Sequence, residues 1–355
     1  MIRARPPVWL GTPGRFASLR PGHAVAVLLL IVAALLAVLV LPGEPARPDP
    51  VAQDAIVEEM REGGDYYSVA AQALRAEGEV PARLPAFRLP TLAVVQAALP
   101  DIVVVLILLG IAVASVLAWA QRIREWFVRP AARTTAYFLL AGGMVAFVQP
   151  GLVRVHDIWA GLLIAWSLAM RREDRWVEAA AIACCATLLR ETAALYAVVM
   201  LGAALFDRRR HEALGWAMVV AVFLAILALH ARAAGLATGP LDPATSWWGG
   251  LHVPGPFAAT MAQSTVLTLL PGWIGAPVAL LALAGWIAAP GPFGGRAALV
   301  FGGYALATAL TGRAEIALVV APAFLVGLAF VPDATRDLTR GLLDRRRVRV
   351  HRITR

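Results

Sequence analysis

The stretch "AVAVLLLIVAALLAVLVL", residues 24–41, carries no charged side chain. A run that long and that apolar is at home in hydrocarbon. There the backbone polar groups must be satisfied within the segment itself, which only a helix achieves for a single span. Comparable runs recur near 102–120, 134–149, 157–170, 177–190, 193–206, 213–230, 270–289, 297–311 and 316–331. They predict an all-α integral membrane protein of about ten transmembrane helices. Composition agrees: charged residues are 15% of the chain and mean hydropathy is +0.71, whereas soluble domains carry about a quarter charged residues.

Arginine placement predicts the topology. All 32 basic residues are arginine, and cytoplasmic loops of membrane proteins hold the excess of positive charge. Residues 1–23 contain Arg3, Arg5, Arg15 and Arg20 and read as a cytoplasmic N-terminus ahead of an uncleaved anchor. The one ambiguous span is 177–206, where "LLRET" interrupts an apolar stretch. A single long helix there would move the downstream arginine clusters, including the tail "RRRVRVHRITR", to the outside. A turn at Arg190-Glu191-Thr192 places 23 of the 32 arginines inside, so two short helices are expected. Each is about 21 Å long at 1.5 Å per residue, short of a roughly 30 Å core. Protein or a water-filled cavity must then cover their ends. The expected division is a cytoplasmic N-terminus (1–23), a polytopic membrane domain (24–331) and a cytoplasmic basic tail (332–355). The net charge of +9 accompanies no basic–aromatic patch in a soluble domain, so nucleic acid is excluded as a partner. Membrane lipids are the expected neighbours. Cys184 and Cys185 read as small packing residues, and no motif of nucleotide hydrolases, serine hydrolases or zincins occurs.

The first outer loop, 42–90, gathers the carboxylates Asp49, Asp54, Glu58, Glu59, Glu62 and Asp65. Apolar positions recur on one face before and after Gly63-Gly64, predicting two short amphipathic helices lying along the bilayer surface. Asp65 is placed either to cap the second of them or to act directly, and Asp101 to cap the following span. The second long outer loop, 231–265, contains Trp247-Trp248, which suit an interfacial aromatic belt or a platform for a sugar ring.

Several ionisable residues fall at the outer ends of spans. Arg190 and Glu191 sit at the turn of the broken pair, where a charge is costly unless it is paired or functional. They form a mutual salt link or bind phosphate. Arg154, His156 and Asp157 share one short loop, with Asp157 a candidate helix cap. Arg88 marks re-entry to the membrane and reads as snorkelling to headgroups or as a ligand-binding cation. Arg313 and Glu315 form a local pair in the last outer turn. No paired-ligand spacing supports a metal site; a divalent cation is an unsupported option, and no cofactor is expected with certainty.

An Asp beyond the first span, an amphipathic helix, "GGDYY", a second helix and "RLPTL" together resemble the multi-span GT-C glycosyltransferases, nearest to uncharacterised bacterial members. The likeness extends to "VHDIWAGLLIAWSLA" at 155–169 and "LLRETAALY" at 188–196, and covers most of the chain in layout. It implies transfer of a sugar from a polyprenyl-phosphate donor to an envelope glycan or lipid acceptor on the extracytoplasmic face, with inversion. It also implies that a loop carboxylate takes the acceptor's proton; by position Asp49 fits best, with Asp54 and Asp65 as alternatives. Asp49 departs from the family's acidic pair, since Pro50 follows it. Substrate binding would fall to Arg190, Glu191, Arg154, His156, Asp157, Arg88 and Arg313. A transporter or flippase of a lipid-linked sugar, and a non-catalytic scaffold, are the competing expectations.

Overall fold

In the computed structural model, residues 7–46, 50–76, 87–239, 250–251 and 254–343 are described. Asp49, Trp247, Trp248 and the tail beyond Leu343 lie outside them. The described chain is all-helical, with one isolated bridge, Leu10 to Phe127. The helices run α1 (Pro21–Val40), α2 (Pro50–Arg61), α3 (Tyr66–Ala76), α4 (Thr91–Ala98), α5 (Asp101–Trp126), α6 (Pro130–Met144) and α7 (His156–Met170). They continue as α8 (Val177–Leu189), α9 (Ala194–Phe206), α10 (Arg210–Ala237), α11 (Gly255–Gln263), α12 (Gly272–Ala288), α13 (Gly291–Thr311), α14 (Ala321–Phe324) and α15 (Val331–Leu343).

Six helices among the described residues are long and apolar enough to cross a membrane, and His156–Met170, Val177–Leu189, Glu191–Phe206 and Gly272–Ala288 are shorter apolar helices. The chain is thus a multi-pass membrane protein. The expected break of span 177–206 is present: α8 ends at Leu189, Arg190 is extended (φ −146, ψ 124), and a 3-10 turn at Glu191–Ala193 leads into α9. The two amphipathic helices of the first outer loop are also present as α2 and α3, separated at Gly63, whose φ of +100 suits glycine alone. Two short elements were not expected. α4 follows the loop, and α11 occupies part of the predicted second outer loop, burying Phe257, Ala258 and Met261. The predicted cytoplasmic tail is partly helical and packed: α15 continues the last span and buries Ala334 and Leu338.

Burial sorts the spans. Only 11% of the α1 window is buried inside the protein, against 72% for Ala314–Leu343, so α1 stands at the lipid-facing edge and the last span is the central post. Its first part is mostly 3-10 helix, from Ala314 to Val320 and from Leu325 to Phe330, before α15 completes it as α-helix. The tighter winding brings its backbone against α12. A Cβ on Gly327 would lie 2.1 Å from the Ala282 carbonyl oxygen, and one on Gly285 would lie 1.9 Å from that of Gly327. Small residues that allow such approach drive helix association in lipid, where burial of apolar area between helices gains little over contact with lipid tails. Beside this contact, Trp286 stacks on Phe301 (centroids 4.9 Å apart) and donates its indole N–H to the Phe324 carbonyl at 2.8 Å.

Gly327→Ala and Gly285→Ala should therefore each destabilise the protein by at least about 2 kcal/mol, in the range of overpacked cores. Gly302→Ala, on α13 with nothing within 4 Å, should be neutral or slightly stabilising. Thermal unfolding in detergent distinguishes them, and equal midpoints for Gly327→Ala and Gly302→Ala would contradict the packing described.

Candidate functional site

The broken helix pair delivers a charge to the interior. The Arg190 side chain is 2% exposed, and a guanidinium in that setting must be paired, because desolvation alone costs several kcal/mol. Its Nε donates to Asp157 Oδ1 at 2.7 Å and its Nη1 to Glu191 Oε2 at 2.9 Å. Extended backbone at Arg190 aims the side chain away from both helix axes, toward the start of α7, where Asp157 is the second residue. Asp157 makes no side-chain cap to α7; the expected capping role is replaced by this ion pair.

The other oxygen of Glu191 accepts the Leu89 N–H at 2.8 Å. That bond is one of three holding the tripeptide Phe87-Arg88-Leu89 over the break. The Tyr66 hydroxyl on α3 donates to the Arg88 carbonyl at 2.6 Å, and His230 Nε2 on α10 lies 3.3 Å from the Phe87 carbonyl. His230 Nδ1 is in turn 3.0 Å from the Tyr67 hydroxyl. Phe87 and Leu89 are buried, and Arg88 between them is half-buried. Arg88 is close enough to Arg190, Asp157, Glu191 and Glu315 to feel their charges; burial first, then the Arg190 guanidinium, pushes it below its ordinary value. It makes no hydrogen bond or ion pair through its guanidinium among the described residues.

Three more polar atoms around the break are buried without a partner: Arg190 Nη2, His156 Nε2 and Thr192 Oγ1. His156 is the first residue of α7 and 2% exposed. Buried polar groups are nearly always hydrogen-bonded, so several orphans in one place ask for a further partner. Two of the groups are guanidiniums, donors only. The complement to such a set is an oxyanion: phosphate, or a carboxylate.

Beside this cluster lies an ionic network centred on Arg154 and Arg61. Arg154 contacts Asp54 Oδ1 at 3.0 Å, Glu58 Oε1 at 2.8 Å and Asp101 Oδ1 at 3.3 Å. Arg61 holds Asp101 at 2.6 Å and Glu58 at 3.0 Å. Asp101 therefore does not cap α5, which has no side-chain cap; its oxygen serves the two arginines. Asp65 is exposed and caps α3, accepting Ser68 N–H at 3.1 Å and Ser68 O–H at 3.2 Å. Arg313 pairs with Glu315 at 2.6 Å, as expected. The structure thus gathers Arg190, Glu191, Asp157, His156 and Arg88 into one buried cluster, and puts Arg154 and Asp54 in the network. The sequence reading missed Arg61, Tyr66 and His230; the apolar-face spacing of "DYYSVA" was the only signal for Tyr66. Among the described residues no group of three or more His, Cys, Asp or Glu is arranged to hold a metal ion.

Fold and site define a polytopic helical membrane protein with a cluster of charged side chains gathered at the break between α8 and α9. Compared with family models, curated proteins and solved structures, the chain matches none.

Because the partners of Arg154 are exposed, each pair contributes about 0–1 kcal/mol and is screened by salt. Arg154→Ala should leave the unfolding midpoint nearly unchanged. It should raise amide hydrogen exchange across residues 50–61 by roughly 3- to 10-fold, since local opening of α2 becomes easier. Unchanged exchange would show that the network does not hold α2.

Proposed function

We propose that this protein is a GT-C-type membrane glycosyltransferase of the bacterial inner membrane. It has ten spans, both termini cytoplasmic, and the 87–89 pocket on the extracytoplasmic side. It moves a sugar from a polyprenyl phosphate to an envelope glycan or lipid, with inversion. The observation that carries this reading is the unpartnered buried donor Arg190 Nη2, with the half-buried Arg88 guanidinium beside it, next to a segment rich in carboxylates. The departing lipid phosphate gains negative charge as the glycosidic bond breaks, and preorganised guanidiniums in a low-dielectric pocket stabilise that charge most where it develops. A tail-anchored donor also requires the site to lie at a lipid–water boundary, where this pocket is expected to sit.

The acceptor hydroxyl must give up a proton as it attacks, and a carboxylate within reach serves as base. Of the three candidates, Asp54 is engaged by Arg154 and Asp65 caps α3. We assign the base to Asp49. Asp49 lies outside the described residues; Ala46, three residues before it, donates its N–H to the Thr260 hydroxyl on α11 at 3.0 Å. α11 packs on the segment carrying Glu315, one of the charges felt by Arg88. Tyr66 fixes the Arg88 backbone and so positions its guanidinium.

A transporter usually carries ionisable residues near the bilayer midplane. Here the buried charged side chains among the described residues are Arg122, Asp157, Arg171, Arg190, Glu212, Arg296, Asp333 and Asp337. Arg122, Asp157, Arg171, Arg190 and Glu212 fall in terminal turns or at helix ends, and Arg296 in the second turn of α13, while Asp333 and Asp337 lie on α15 beyond the last apolar stretch, which favours chemistry at a surface over passage through the membrane.

The test is transfer by purified protein from a panel of radiolabelled polyprenyl-phosphate sugars. Asp49→Asn should lower the rate by about 100-fold or more, in line with loss of a general base. Arg88→Gln should lower it by roughly 10- to 100-fold, in line with loss of one transition-state donor. Asp65→Asn should stay within a few-fold of wild type. No transfer from any donor, or full activity in both Asp49→Asn and Arg88→Gln, would overturn the proposal.

A further inference from the structure

α5 and α7 begin at the ionic network and cluster and end, at the opposite face, in a second gathering of arginines. Arg122 on α5 is consumed by its surroundings. Its Nε donates to the Ala169 carbonyl at 2.8 Å, its Nη2 to the Arg171 carbonyl and its Nη1 to Glu125 at 3.0 Å. Its guanidinium carbon lies 4.4 Å from the Phe293 ring centre. Arg171 is 3% exposed and gives Nε and Nη2 to Glu212 at 3.0 and 2.7 Å, while Arg296 holds the same carboxylate at 2.6 Å. Arg171 Nη1 has no hydrogen-bond partner among the described residues. Arg172 commits only Nη2, to Glu125 at 2.8 Å.

These three arginines line a cavity of about 300 Å³ with Glu173, Asp174, Pro292 and Phe293. The nearby acids are largely spoken for. Glu125 serves Arg122 and Arg172, Glu212 serves Arg171 and Arg296, and Glu173 pairs with Arg209 at 2.7 Å. Asp174 stands exposed at the rim. The side-chain N–H groups left unpaired among the residues that line the cavity therefore belong to guanidiniums, those of Arg171, which is buried, and Arg172. The first turn of α13, which supplies Pro292 and Phe293, has no side-chain cap, and the positive end of its helix dipole adds to the same potential.

We propose that this cavity binds a phosphate group, carried by a phospholipid headgroup of the adjoining leaflet or by a soluble phosphate ester. Guanidinium forks match phosphate oxygens, and basic pockets between spans are the places where headgroups seat. The site is separate from the sugar-transfer pocket and does not depend on that reading.

Thermal unfolding of the full chain in detergent tests it, titrated with inorganic phosphate, with phosphatidylglycerol, and with diacylglycerol as the phosphate-free lipid. Phosphatidylglycerol, inorganic phosphate or both should raise the midpoint, and diacylglycerol should not. Arg172→Gln removes a half-exposed side chain whose one ion pair is itself exposed, so the variant should fold. Its half-saturating ligand concentration should rise about 10-fold, the usual weight of one charge-assisted bond, while Arg129→Gln, away from the cavity, should match wild type. Stabilisation by the lipid alone identifies the headgroup; stabilisation by inorganic phosphate as well identifies a soluble ester. No stabilisation by either, or equal half-saturation in Arg172→Gln and wild type, would overturn the proposal.

Discussion

A single guanidinium sets the terms for one half of this molecule. Arg190 enters the interior because the helix containing it breaks, and the break persists because the side chain finds Asp157 and Glu191. Removing one member of a buried pair leaves an uncompensated charge, typically costing 3–5 kcal/mol. Satisfying the pair then organises its surroundings. Glu191 uses its second oxygen to hold the Leu89 amide, and that contact, with the Tyr66 and His230 bonds, fixes the strand of chain that carries Arg88. Local irregularity at one residue thus places cations from separate segments into one pocket.

The same logic separates the two faces. Contacts among the candidate outer loops involve residues 46, 54–68, 87–101, 153–157, 190–192, 230, 260 and 313–315. Those of the opposite face involve residues 8–15, 122–127, 171–176, 207–212, 286–296 and 333–337. There the N-terminal segment is strapped down by Asp333, whose oxygens accept the Val8, Trp9 and Leu10 amides at 2.5, 2.9 and 3.0 Å, and by Arg15, which donates to three carbonyls between 286 and 294. Apolar packing joins the two sets: Trp119, buried at 0% exposure, bonds the Ala165 carbonyl at 2.9 Å in the core between the faces.

Long apolar runs were legible because a membrane helix tolerates few interruptions, and the break at Arg190 was legible because charge placement forbids the alternative. α2 and α3 were legible from their apolar stripes and from Gly63. α4 and α11, of 8 and 9 residues, were not: short apolar segments lack the length that separates a helix from loop. Nor does sequence announce that the first part of the last span winds as 3-10 helix, because that follows from contact with α12. Partner choice was the least legible layer. Arg190 and Asp157 are 33 residues apart, and Arg61 and Asp101 are 40 apart. Local patterns offered helix capping for both aspartates, and tertiary pairing with arginine won.

The account rests on the Arg190–Asp157 pair being the element that organises the break. A double-mutant cycle in denaturant or thermal unfolding, with Arg190→Met, Asp157→Asn and the double variant, measures it directly. Each single variant should lose about 3–5 kcal/mol, and the double should lose markedly less than their sum, because removing both partners leaves no orphan charge. Strictly additive losses would mean that the two side chains do not depend on each other, and the pocket would have to be explained without them.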